Sequence, residues 1–210
     1  MTELFNTAAG EELAWELLRD LDPGEVRDRA GVELDAGAGM YRLVCLGQEL
    51  EIDAGLRSIR SYSSTGKALL EELGPHVRLS ALRYLVHCPP GSWNQDWANP
   101  SDLSGGRIFD WGSHVLPLQD WAESVQQEPS GAARVCRNLG GRLEQVGDLG
   151  MLLHPFPKFT LLFVAWFADQ EFSAEGRVLV DQVWNGRIPG DIIWATAMFS
   201  LKMFMTRMYA

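Results

Sequence analysis

The segment Thr160-Leu161-Leu162-Phe163-Val164-Ala165-Trp166-Phe167 offers no polar face in either the helical or the strand period. It is far shorter than the roughly twenty residues a bilayer requires. A run of this length, bounded by Pro157-Lys158 and Ala168-Asp169, is expected to be a strand that is central or covered on both faces. The rest of the chain must then supply neighbours and cover for it. Arg142 to Val146, Gly150 to His154 and Arg177 to Val180 read as its companion strands.

Helices are expected to supply the cover. Leu13, Ala14, Leu17, Leu18 and Leu21 recur at helical spacing over Gly10 to Asp20, and Asp22-Pro23-Gly24 stops the pattern. Pro23 to Ala30 reads as a short helix with proline in its first turn and Gly31 closing it. Lys67 to Leu73 and Leu79 to His87 read as two helices separated by Gly74-Pro75. Leu116 to Val125 and Gly131 to Leu139 follow, and a terminal helix is expected after Pro189. In that last helix Thr196, Ser200, Lys202, Thr206 and Arg207 mark a wet stripe on an otherwise apolar segment, so it reads as an amphipathic core helix. Between the helices, Val32 to Asp53 alternates with period two across glycine-containing links, the signature of a hairpin or meander. The fold expected is α+β: one domain over residues 1–210, with an antiparallel sheet or meander flanked by helices and closed by the C-terminal helix.

The 46% apolar and 22% charged residues are those of a folded globular chain. A net charge of -10 argues against nucleic acid or an anionic membrane as partner, since both need clustered Lys and Arg. Cys45, Cys88 and Cys136 lie far apart, without the spacing of a disulfide framework or a zinc or iron-sulfur motif. With no positive and apolar leader in Met-Thr-Glu-Leu-Phe-Asn, a reducing cytoplasm is the expected location.

Candidate functional residues fall in two places. Gly91 to Gly112 is the least regular stretch, and Trp93, Trp97 and Trp111 stand there among Gly, Asn, Asp and Ser. Aromatic side chains in a polar loop suit an interface or a planar ligand. Arg107, after Gly105-Gly106, could hold an anion. The second place is the end of the apolar strand, where Asp169 and Glu171 would share a face if the backbone stayed extended. Two such carboxylates could tune each other's pKa or hold a hard cation, and a small enzyme would add His154 to them. His87-Cys88 reads as a helix end beside a buried thiol. No phosphate-binding glycine motif, nucleophile elbow or metalloprotease helix occurs. Binding therefore ranks above catalysis, and a structural subunit of a larger assembly is the third option.

The ordered blocks "AWELLRDLDPGEVRDRAGVEL", "YRLVCLGQELEID", "LSGGRIFDWGSHVLPL", "HPFPKFTLLFVAWFADQEFSAEGRVLVDQ" and "IPGDIIWATAMF" span nearly the whole chain. They resemble the prokaryotic family catalogued as domain of unknown function 3786, with the best matches at Pro157, Trp166, Asp169, Glu171, Phe172, Asp181 and Asp191. The resemblance adds Trp166 to the candidate binding residues. It implies anaerobic sources and a role beside iron-sulfur or corrinoid redox proteins. This chain has no cysteine cluster of its own, so such a protein would be a separate partner.

Overall fold

The computed structural model describes residues 7–91, 95–110 and 115–209. Helix α1 (Thr7–Arg19) buries Ala14, Trp15 and Leu18 against α3 and turns Leu13 and Leu17 outward. Helix α2 (Pro23–Ala30) begins at Asp22, whose carboxylate accepts from the Glu25 amide at 2.8 Å. It ends at Gly31, where φ of 64° requires the left-handed conformation glycine adopts without strain.

The expected meander follows as β1 (Glu33–Asp35), β2 (Met40–Cys45), β3 (Gln48–Asp53) and β4 (Ser58–Arg60), all antiparallel and in chain order. Alternation sends Tyr41, Leu43 and Cys45 of β2 inward. Strand β4 is too short to show a period and was not expected.

Helix α3 (Ser64–His87) joins what the sequence reads as two helices. Leu73 leaves helical geometry (φ -124°, ψ 15°) just before Gly74-Pro75, and the helix resumes beyond it. The missing proline amide kinks the helix instead of ending it, because Pro75 opens the second segment, where no hydrogen bond is required of it.

A second, five-stranded sheet has the order β5-β9-β8-β7-β6, all pairs antiparallel. Its strands are β5 (Trp97–Ala98), β6 (Arg142–Glu144), β7 (Leu149–Phe156), β8 (Phe159–Trp166) and β9 (Glu175–Asp181). Two sheets therefore stand where one was expected, touching where β2 meets β7. Strand β8 is central and buried on both sides until Trp166, as its composition demands. Phe159, Leu161, Phe163 and Ala165 enter the main core, whereas Leu162 and Val164 join Leu152 in a small second cluster on the other face.

Helices α4 (Leu118–Gln127), α5 (Pro129–Asn138) and α6 (Gly190–Met208) complete the core. Trp121 of α4 tilts against Phe163, and Phe199 of α6 meets Phe156 edge-on. The wet stripe expected on α6 is dry at its centre: Thr196 and Ser200 are fully buried. Their hydroxyls donate to the carbonyls of Ile192 and Thr196, each at 2.7 Å, so neither needs water. Lys202 and Thr206 alone reach fully into solvent, and α6 is a central helix rather than a surface one. No described helix is long and apolar enough to cross a membrane.

Candidate functional site

The residues around the end of β8 form a cleft of about 560 Å³, lined chiefly by Asp148, Trp166, Asp169, Phe172, Glu175 and Gly176. Its floor is set by a glycine. A Cβ on Gly176 would lie 2.2 Å from the Leu118 carbonyl oxygen, so only glycine lets α4 cross β9 this closely. Pairing of Trp166 with Glu175 brings the start of β9 beside the end of β8. Asp148 enters from the turn before β7, where its carboxylate accepts from the Phe167 amide at 2.8 Å.

Beyond Trp166 the backbone reverses instead of staying extended. The Asp169 amide donates to the Phe172 carbonyl at 3.0 Å, and the Asp169 carboxylate accepts from the amides of Glu171 and Phe172 at 2.8 Å each. This is an Asx turn. Gln126 of α4 anchors it, accepting from the Ala168 amide at 2.8 Å. The amides of Glu171 and then Phe172 hold the Asp169 carboxyl below the usual carboxylate range. Asp169 thus has one carboxylate oxygen committed to the backbone of its own turn.

Two apolar side chains stand open beside these acids. Trp166 is 39% exposed and Phe172 70% exposed. The Arg177 guanidinium lies 5.4 Å from the Trp166 ring centre and forms an ion pair with Glu175 at 2.8 Å. A smaller hollow of about 140 Å³, lined by Pro100, Phe109, Val115 and Arg177, shares Gly176 with the cleft.

The predicted residues therefore divide. Trp166 and Asp169 meet in the cleft, and Glu171 is exposed on the same turn. Trp97 pairs with Asp181, six positions along β9 from Glu175, or roughly 20 Å away. It is half-buried over Leu152, Leu162 and Val164, so it covers the sheet's second face rather than presenting a free ring. Arg107 is exposed in the short helical turn Gly106–Asp110. Trp93 and Trp111 lie outside the described residues.

His154 sits on β7 where the pairing register shifts between Leu153 and Phe156. Leu153 pairs with Leu161, five positions from Trp166, so His154 and the acidic turn are roughly 16 Å or more apart. The trio of Asp169, Glu171 and His154 is not assembled. Burial, helped by Arg142, lowers the His154 pKa. Among the described residues, no group of three or more His, Cys, Asp or Glu side chains is placed to hold a metal ion. Asp148, Glu175 and Arg177 escaped sequence reasoning because strand register, not spacing along the chain, brings them to Trp166. The one available signal was the hairpin itself, which places Glu175 opposite Trp166.

The family described as a domain of unknown function (DUF3786) matches residues 22–203. The chain belongs to that family. The DUF3786 match takes in every residue of the cleft. No curated protein and no solved structure matches the chain.

Proposed function

We propose that this DUF3786 protein is a cytoplasmic accessory protein that docks a protein partner at the cleft around Trp166. The observation that carries the reading is the Trp166 ring, open to solvent, flanked by a guanidinium and set among Asp148, Asp169 and Glu175. An arginine or lysine presented by a partner would meet an aromatic face and carboxylates together. Phe172 adds an exposed apolar anchor of the kind that dominates interface energies. The net charge of -10 favours encounter with a basic surface and disfavours nucleic acid.

The partner we propose is an iron-sulfur or corrinoid redox protein. The three buried free thiols, Cys45, Cys88 and Cys136, fit a reducing compartment. A planar cofactor stacked on Trp166 is the second reading, favoured by a volume within the range of small-ligand pockets.

The test is anaerobic purification from the natural source, followed by native mass spectrometry, for the wild type and for Trp166→Ala, Phe172→Ser and Glu171→Lys. Loss of a companion chain from the variants, with an unchanged melting temperature for the two exposed sites Phe172 and Glu171, is expected. A bound chromophore in place of a chain would select the second reading. A companion retained in full by all three variants would refute docking at this cleft.

A further inference from the structure

A second cleft, of about 260 Å³, lies where four elements converge: Gln48 of β3, Thr65 of α3, Arg134, Val135 and Asn138 of α5 with Leu139 just beyond it, and Arg207 of α6. Among the described residues no carboxylate lines it. Among the described residues neither Arg134 nor Arg207 has an ion-pair partner, in a protein whose acids outnumber its bases. Arg207 Nε is buried and has no hydrogen-bond partner. That nitrogen is closed to solvent, so it is the terminal nitrogens of the same guanidinium that are left for an anion entering the cleft.

The walls are built, not incidental. The turn between β2 and β3 approaches the end of α5 so closely that a Cβ on Gly47 would lie 3.3 Å from the Gly140 nitrogen and the Leu139 carbonyl carbon. That contact sets Gln48 beside Asn138. Arg134 and Asn138, four apart on α5, share a helix face. Ser63 donates to the Gln48 side-chain oxygen at 2.8 Å, which leaves the Gln48 amide hydrogens as donors. Two arginines, Gln48, Asn138 and Thr65 thus line one hollow.

We propose that this cleft binds a small dianionic oxyanion ligand, a phosphate or dicarboxylate compound, held between Arg134 and Arg207. Planar guanidinium forks match the paired oxygens of either group. The site is independent of the cleft at Trp166, with which it shares no residue.

Titration calorimetry with inorganic phosphate and with succinate, at ionic strength held constant with sodium chloride, tests it. At least one probe is expected to bind the wild type, and Arg134→Gln and Arg207→Gln should each weaken that binding about tenfold or more. Arg137→Gln, on α5 but outside the cleft, should leave it unchanged. Arg134 is exposed, so its variant tests the site even if Arg207→Gln impairs folding. Preference for phosphate over succinate, or the reverse, names the source of the oxyanion. Absence of binding by both probes up to about 10 mM, or wild-type affinity in Arg134→Gln, would overturn the proposal.

Discussion

Replacing Gly176 by alanine separates two effects of opposite sign. By propensity alone, alanine within a strand should stabilise by about 0.5–1 kcal/mol, since glycine loses more freedom on folding. The φ of Gly176 is not in the left-handed region, so no backbone strain enters. Packing points the other way: the new methyl would lie 2.2 Å from the Leu118 carbonyl oxygen, 2.9 Å from its carbon and 3.0 Å from Cε3 of the buried Trp121. The first two are helix backbone, which cannot rotate aside, so α4 must lift from β9. Overpacking of that kind costs about 3 kcal/mol, which leaves a net loss of about 2 kcal/mol after the propensity gain. For a chain of this size that is a fall of about 4–8 °C in melting temperature. Gly10→Ala serves as the control: on helix α1 its methyl would meet only Leu79 methyl carbons at 3.4 Å or more, and it should stabilise by about 0.5–1 kcal/mol. Thermal unfolding followed by circular dichroism measures both. An unchanged or raised melting temperature for Gly176→Ala would refute the crossing of α4 on β9, and with it the floor of the cleft.

Three further outcomes are expected. Tyr84→Phe removes a buried hydroxyl that donates to the Ala30 carbonyl at 2.5 Å and accepts from the Lys158 amide at 3.0 Å, and should cost about 1–3 kcal/mol by urea unfolding; a loss below about 0.5 kcal/mol would mean that water replaces it. Burial raises the thiol pKa of Cys45 and Cys88 and pushes that of Cys136 up to about 11, so a thiol reagent at neutral pH should label none of the three until the protein unfolds. Burial also lowers the pKa of His76, His87 and His154 below the ordinary value near 6.5. The unfolded chain then binds protons that the folded one refuses, so their contribution is present above the unfolded pKa and is lost as pH falls below about 6.5. The melting temperature should drop on acidification, and His87→Gln should flatten that dependence; an identical pH profile for the variant would contradict it.

Local signals made most of the fold legible. Asp22-Pro23 and Gly31 bracket α2 because capping is a property of neighbouring residues, and the alternation of β2 and β3 survives because each strand has one dry face. The division into two sheets was not legible, since which strands pair with which is not a property of neighbouring residues. Gly74-Pro75 misled in the same way: both a stop and a kink look alike until tertiary contacts continue the helix. Thr196 and Ser200 resemble a wetted stripe only if their hydroxyls are assumed to need solvent. At the cleft, Asp169 was readable from the end of one strand, and Trp166 entered only through the family resemblance. Their companions Asp148 and Glu175 depend on pairing register, which the residue list does not state. Arg134 and Arg207 carry no local signal at all, because a lone arginine on a helix is ordinarily a solvated one.

The burial of α6 also has a consequence in time. Strands β7 and β8 leave the ribosome before the helix whose Phe199 covers Phe156, so their apolar inner face stays partly uncovered for the roughly few seconds that synthesis of the intervening segment takes. During that interval the growing chain displays a sticky hairpin with no lid. The polar turn at Asp169 to Glu171, already closed by its own amides, gives that hairpin charged residues at one end while it waits.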